Sequence, residues 1–189
     1  LLQPGEVFEA LDDNEVALQN MSGNRFVGFF EAQVNDWKGK LGTVRTVLDL
    51  LLEVQRAWCS LESIFLGSED IREQLPEDAK RFDGIDAAFR EQMADASQNS
   101  NPIEVCTVAG REDVFNTNFA ALELCQKSLS DYLEVKKKKF PRFYFISAND
   151  LVDILSKGRY PPAAQEHFQK FTDATGEIDW APDAHGPRT

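Results

Sequence analysis

The sequence has few of the residues on which metal sites and disulfide frameworks depend. It contains two histidines and three cysteines in 189 residues. Cys59, Cys106 and Cys125 form no C-x-x-C pair, and their odd number and wide spacing argue against a zinc site and against a disulfide framework. We therefore expect reduced thiols that pack as small apolar side chains.

Positive charge and long apolar runs are also scarce. Lys and Arg number 20 against 32 Asp and Glu, which gives a formal net charge of −12. Such a surface repels phosphate backbones and anionic lipids, so we expect no binding to nucleic acid or to membranes. The longest apolar stretch, interrupted by one aspartate, falls far short of the roughly 20 residues of a membrane-spanning helix. No secretory signal is visible. Because the chain begins at Leu1 rather than Met, we expect a piece of a longer one.

The sequence lacks the loops that bind nucleotide phosphates. Gly23 and Gly28 have the glycine spacing of a G-x-x-x-x-G-K-[ST] loop, but Phe29 and Phe30 stand where that loop needs Lys and Ser or Thr. No G-x-G-x-x-G sequence follows a predicted strand. We expect no nucleotide cofactor to be bound by these residues.

Groupings that could bind a metal or catalyse a reaction are equally weak. His167 and His185 form no H-E-x-x-H pair, and we expect His167 to be a surface or half-buried helical residue or to make a local hydrogen bond. Residues 12–15 carry four oxygen-bearing side chains, but they lack the alternating ligands and central glycine of a calcium loop. Neighbouring carboxylates such as Glu69 and Asp70 could act as an acid and a base, but such pairs are abundant in so acidic a chain and do not indicate catalysis. We therefore predict no catalytic, cofactor-binding or metal-binding residue here.

Apolar residues recur at separations of three and four along most of the chain, which is the spacing of amphipathic helices. Gly39 and Gly42 predict a break or bend, because each weakens a helix by about 1 kcal/mol relative to alanine. Pro76 suits a first helical turn, and the polar residues 97–102 predict a surface loop. These features predict long helices at about 25–41, 41–65, 76–96 and 111–139.

The sequence changes character after residue 139. Residues 140–146 are rich in aromatic side chains and include a proline, and the stretch is too short for another amphipathic helix. This composition predicts one short extended or β segment near residues 141–146. Ser147 and Asp150 have the spacing of a capping box, so a short helix should follow them. A further helix could open at the next proline pair. Residues 173–189 are rich in Gly, Pro and acid, and we predict a flexible tail there.

The four consecutive lysines Lys136, Lys137, Lys138 and Lys139 form a basic run in an acidic chain. Cations at the C-terminal end of a helix are favoured by its dipole, by about 0.3–1 kcal/mol each. The run could also serve as a docking patch for an acidic partner surface. Both interpretations stay open at the level of sequence.

Several long strings, taken together, resemble one family: the linker region of dynein heavy chains. The strings are LEVQRAW (52–58), LESIF (61–65), SEDIREQLP (68–76), QKSLSDYLE (126–134), FPRFYFIS (140–147) and DLVDILS (150–156). The likeness covers about residues 10–171 and, at residues 12–20 and 67–70, is nearest to axonemal outer-arm heavy chains of the beta kind. The chain departs from the family pattern at Leu51, Lys137 and Thr172.

The resemblance implies a mechanical role. In dyneins the linker is a helical arm that lies across a ring of AAA+ modules and swings when the ring binds and hydrolyses ATP. It implies that ATP and magnesium are bound by the ring of the parent chain, with no cofactor in this segment. The implied partners are the AAA+ ring of the same heavy chain, other dynein chains and, through the parent motor, microtubules. The implied location is the cytoplasmic cytoskeleton, in the axoneme of a cilium or flagellum.

The resemblance and the helical spacing together predict a mainly α-helical, elongated bundle. We expect an N-terminal entry segment at 1–24, a linker helical subdomain at 25–172 and the tail at 173–189. The predicted structural core consists of Trp37, Trp58, Phe65, Phe82, Phe89, Phe143 and Phe145. Two other functions stay open: a stand-alone helical scaffold or adaptor without motor activity, and a small hydrolase that uses clustered acids.

Overall fold

The computed structural model describes residues 4–99, 101–156 and 161–175. Within these ranges the chain is mainly α-helical and has no strand, which confirms the predicted fold class. Three 3-10 helices cover Val27–Phe29, Pro141–Phe145 and Pro161–Lys170. The α-helices are α1 (Pro4–Ser22), α2 (Glu31–Gly67), α3 (Glu69–Gln74), α4 (Pro76–Ser97), α5 (Pro102–Cys106), α6 (Arg111–Lys139) and α7 (Ala148–Ser156).

The chain divides into two compact units. The first unit comprises Leu1–Ala57 and Ile85–Ala120, and the second comprises Trp58–Gly84 and Ala121–Thr189. In the part of the chain that the structure describes, no helix combines the length and the apolar character that crossing a membrane requires. Most of the predicted tail, from residue 176 onward, lies outside the described residues.

Helix α2 runs without interruption through both glycines, so the predicted break at Gly39 and Gly42 is wrong. Two glycines cost a helix about 2 kcal/mol together. The turns that follow them bury Val44, Val47 and Leu48 in the first unit. Each such side chain contributes roughly 1.5–3 kcal/mol when fully buried, so tertiary packing outweighs the local preference.

The aromatic residues before α2 do not form the predicted helical face. Phe26, Phe29 and Phe30 lie in a turn and a short 3-10 helix, with 72%, 88% and 53% of their surface exposed. The Asn24 side chain accepts a hydrogen bond from the Phe26 backbone N–H at 3.0 Å. Asparagine after glycine favours such a turn, and this local bond delays the start of the helix to Glu31.

Helix α1, Pro4–Ser22, occupies most of the predicted N-terminal entry segment. Leu11 of α1 is buried, and the α1 carboxylate of Glu15 accepts two hydrogen bonds from Arg45 of α2, at 2.8 and 3.0 Å. Asp12 also pairs with Arg45. Polar contacts from these two acids of α1 to Arg45 therefore hold α1 against α2 within the first unit.

The ends of the later helices follow the sequence closely. Helix α4 begins at Pro76, and α6 spans the range expected from its apolar spacing. Ser147 caps α7 by accepting the Asp150 backbone N–H at 3.1 Å, as the capping-box spacing predicts. The short helix α5 was not predicted, although Asn101 caps it by accepting the Ile103 N–H at 3.1 Å.

The prediction of an extended or β segment near residues 141–146 is wrong for most of its length. Pro141–Phe145 forms a 3-10 helix, and only the flanking Phe140 and Ile146 have extended backbone angles. Pro141 suits the first turn of a helix, because its φ is fixed and it has no N–H to satisfy. Since the described part of the chain contains no strand, an extended segment would also find no partner for its backbone hydrogen bonds.

Candidate functional site

The predicted core residues differ widely in burial. Phe65, Phe82 and Phe89 are buried, with at most 7% of their surface exposed. The placement of Trp37 and Phe145 in the core is wrong, because 45% and 78% of their surfaces are exposed. Trp37 borders an apolar groove of the first unit, between α1 and α2, and its ring lies 5.3 Å from the Lys40 ammonium.

The core of the second unit centres on a pair of aromatic rings. The Phe65 and Phe82 rings stack with centroids 5.4 Å apart and an interplanar angle of 18°, and both side chains are fully buried. Arg72 ties α3 to this core, because it donates to the Phe65 carbonyl at 2.9 Å and pairs with Asp83 at 2.7 Å. That ion pair holds the pKa of the Asp83 carboxyl below its usual value.

Phe143, another predicted core residue, belongs to a separate cluster of aromatic rings in the second unit. Its ring meets those of Phe140 and Phe171 edge to face, with centroids 4.8 and 5.7 Å away. Phe168 meets Phe171 in the same way at 5.6 Å. The phenylalanine rings of this cluster attach the 3-10 helix Pro161–Lys170 to the end of α6, and they do not fill the centre of the unit. Trp58, another predicted core residue, is half-buried, as is Phe143.

Several fully buried side chains were absent from the predicted core. They are Val54, Ile71, Phe115, Leu122, Cys125 and Leu151. The same spacing of three and four that predicted the helices also marks Phe115 and Leu122 on one face of α6. Burial in these units therefore follows the helix face on which a residue lies, and aromatic size is a poor guide to it.

The cysteines have two different environments. Cys106 and Cys125 are buried, and burial raises the pKa of both thiols. Cys59 is exposed, so the expectation that all three thiols pack as small apolar side chains is wrong for this residue. The two buried thiols are therefore protonated packing groups at neutral pH.

His167 is buried, contrary to the expected surface or half-buried position. Its Nε2 lies 2.7 Å from an Asp153 carboxylate oxygen on α7, and its Nδ1 lies 3.6 Å from Asp150. Asp150 also accepts hydrogen bonds from Lys170 at 2.6 Å and from the Ser147 hydroxyl at 2.7 Å. These polar contacts fasten the 3-10 helix Pro161–Lys170 to α7. Only the Ser147–Asp150 pair was predicted, as a capping box; sequence reasoning missed the contacts of His167 and Lys170, since their partners are 14 to 20 positions away.

This cluster predicts an acid-sensitive contribution to stability. The hydrogen bonds from Lys170 and Ser147 lower the pKa of the Asp150 carboxyl from its ordinary value of 3.8. A carboxyl whose folded-state pKa is lowered stabilises the fold above its unfolded-state pKa and loses that contribution as the pH falls through the folded-state value. We expect Asp150→Asn to narrow the difference in free energy of unfolding between neutral pH and pH of about 2.5. Urea titrations of the unaltered chain and of Asp150→Asn at the two pH values would measure this difference. The same difference in both proteins would contradict the stabilising role assigned to the Asp150 carboxylate.

The four lysines lie in the last turn of α6. The Lys136 ammonium lies 4.8 Å from the Tyr132 ring centroid, and that of Lys137 lies 5.7 Å from the Tyr144 ring. The Tyr144 hydroxyl donates to Glu134 at 2.6 Å, which raises the tyrosine pKa. The 3-10 helix Pro141–Phe145 therefore turns back beside the end of α6. We call the resulting patch the basic aromatic surface; it consists of Lys136, Lys137, Lys138, Lys139, Tyr144 and Phe145.

The described residues offer no group of three or more His, Cys, Asp and Glu side chains that could hold a metal ion. The conspicuous features are instead buried packing, ion pairs that fasten helices, and one exposed basic patch. This set of features can carry load and bind a partner.

Comparison with known proteins places this helical chain in one class. A family model described as "Dynein heavy chain, N-terminal region 2" matches residues 1–185. The chain belongs to this dynein heavy chain family, which confirms the resemblance found in the sequence.

Individual relatives agree with the family model. The chain is 44% identical to "Dynein beta chain, ciliary" of Heliocidaris crassispina, over 97% of its own length and 4% of that protein. It is 44% identical to "Dynein beta chain, flagellar outer arm" of Chlamydomonas reinhardtii, over 100% of its own length and 4% of that protein. It is also 44% identical to "Dynein axonemal heavy chain 9" of Homo sapiens, over 97% of its own length and 4% of that protein. The chain therefore spans about 4% of the length of the curated relatives it matches.

Proposed function

We propose that this chain is part of the mechanical linker of an axonemal dynein heavy chain, where it carries movement generated elsewhere in the motor. The observation that supports this most strongly is the family match over residues 1–185. The relatives named ciliary, axonemal and flagellar outer arm support a place in the axoneme of a cilium or flagellum.

The internal structure of each unit suits a part that carries load. Close-packed interiors have low compressibility, so a unit with fully buried Phe65, Phe82 and Leu122 resists deformation. Helix α2 has 37 residues and would extend about 55 Å at the usual rise per residue. Polar contacts such as that of Arg72 with Asp83 fix neighbouring helices at defined positions.

In the proposed arrangement the segment itself breaks no bond. ATP and magnesium would be bound by the AAA+ ring of the parent chain, and that ring would be the immediate mechanical partner. Other dynein chains and microtubules would be reached through the parent motor. Gly23 and Gly28 have the spacing of a phosphate loop but Phe29 follows them where the lysine should stand, which supports this division of labour.

The proposal predicts that the purified 189-residue chain hydrolyses no ATP. Phosphate release should equal that of buffer alone, with the parent heavy chain as a positive control in the same assay. The physical reason is that the sequence provides no lysine and hydroxyl at the end of a glycine loop to hold the phosphates and magnesium. Steady turnover that rises in proportion to the concentration of the purified chain would contradict the proposal.

A further inference from the structure

In the part of the chain that the structure describes, the lysines of the basic aromatic surface have no acidic partner, whereas several arginines do. Arg45 pairs with Glu15, and Arg72 pairs with Asp83. Among the residues that the structure describes, no carboxylate forms an ion pair with any lysine of the 136–139 run. Within the described ranges, four positive charges in one helical turn thus have no ion-pair partner, in a chain whose net charge is −12.

The exposed Tyr144 ring lies beside Lys137, and the exposed Phe145 follows Tyr144 in the same short 3-10 helix. Tyr144 is 51% exposed and Phe145 is 78% exposed, although both belong to a short helix that is otherwise anchored by Phe143. The Tyr144 ring is held in place by its hydrogen bond to Glu134 and by Lys137 over its face. A partner that docks here can bury apolar area against fixed rings as well as neutralise charge.

The rest of the chain limits what kind of anion fits. Charges are screened over about 8 Å at physiological ionic strength, so the lysine run attracts an anion only at close range. A long nucleic acid or a flat anionic membrane would extend beyond the run and meet a surface that is acidic on balance. A short extended segment of protein can contact the run alone.

We propose that the basic aromatic surface binds a short, extended, glutamate-rich protein segment that carries an aromatic or aliphatic side chain. The carboxylates of that segment pair with the lysines of the run, and its apolar side chain packs on Phe145. This inference concerns binding and stands whether or not the chain works as a lever, so the two proposals fail independently.

The test uses the intact 189-residue chain and a fluorescein-labelled peptide of about twelve residues, all glutamate except one central phenylalanine, read by fluorescence anisotropy. We expect saturable binding at about 50 mM salt that weakens as salt is raised. The variant Lys138→Glu/Lys139→Glu should weaken binding at least about tenfold. Lys80→Glu/Lys127→Glu changes the net charge by the same amount at exposed lysines elsewhere in the second unit, and should bind within about twofold of the unaltered chain.

Two further variants keep the result interpretable. Lys138→Gln/Lys139→Gln removes the charges without placing acids at the end of α6, and it should also weaken binding while the helical circular dichroism is kept. Phe145→Ala should weaken binding of the peptide that contains phenylalanine by about threefold, and leave binding of an all-glutamate peptide unchanged.

Three outcomes would overturn the proposal. The first is absence of saturable binding at low salt. The second is an equal loss of affinity in Lys138→Glu/Lys139→Glu and in Lys80→Glu/Lys127→Glu, because the loss would then follow from net charge alone. The third is tighter binding of a single-stranded RNA of equal charge than of the peptide, because that would make the surface a nucleic-acid site.

Discussion

Replacing Phe82 with alanine is expected to lower the free energy of unfolding by about 3–5 kcal/mol. The Phe82 side chain is fully buried and stacks on Phe65, which is buried to the same extent. Truncation removes the transfer free energy of the ring and leaves a cavity that a close-packed interior cannot fill completely. Urea titration followed by circular dichroism would measure the change.

The matched control is Phe145→Ala. It deletes the same ring from a residue that is 78% exposed, so we expect a change of less than about 0.5 kcal/mol. A loss of similar size in both variants would contradict the core that the structure assigns to the second unit. It would show that ring size matters at these positions and burial does not.

Replacing Asp95 with alanine is expected to destabilise the first unit more than replacing its partner, Arg111, with methionine. The side chain of Arg111 is only 3% exposed, whereas that of Asp95 is 60% exposed. Removing the carboxylate leaves a guanidinium in the interior without its counter-charge, which we expect to cost about 2–3 kcal/mol. Removing the arginine leaves a carboxylate that water can solvate.

Arg111→Met should therefore cost less than about 1.5 kcal/mol. Among the described residues the Arg111 Nε also has no hydrogen-bond partner, so the methionine relieves one unsatisfied buried donor. Denaturant titrations of the two single variants and of the double variant would test the asymmetry. A lower free energy of unfolding for Arg111→Met than for Asp95→Ala would contradict the burial assigned to this pair.

The sequence predicted best where local signals and tertiary packing agree. Pro76 suits a first helical turn, and α4 begins there. The spacing of apolar residues over 111–139 matches α6, whose buried face includes Phe115 and Leu122. The family was also recognisable, because strings such as FPRFYFIS are long and rich in aromatic residues.

The sequence misled where a local preference competed with packing. Gly39 and Gly42 weaken a helix, yet α2 continues through both because its next turns are buried. Trp37 and Phe145 have the size of core residues, but burial depends on which face of an element meets the interior, and this is not set by residue type.

The polar cluster around His167 could not be predicted for a different reason. Its partners Asp150 and Asp153 come from another helix, and their approach depends on how α7 packs against the 3-10 helix Pro161–Lys170. The basic aromatic surface was predicted only in its lysines. The turn that brings Tyr144 beside Lys137 follows from the 3-10 helix that replaced the predicted extended segment.

The central claim, that this segment transmits movement and does no chemistry, is tested most directly in the parent heavy chain carrying Phe82→Ala. Microtubule gliding and ATP turnover would be measured on one preparation, at a temperature where the isolated variant chain is unfolded and the unaltered chain is folded. We expect ATP turnover to persist while gliding collapses, and Phe29→Ala, which deletes a ring that is 88% exposed and lies outside the basic aromatic surface, to behave like the unaltered motor. Gliding at the unaltered speed with this segment unfolded would contradict the account.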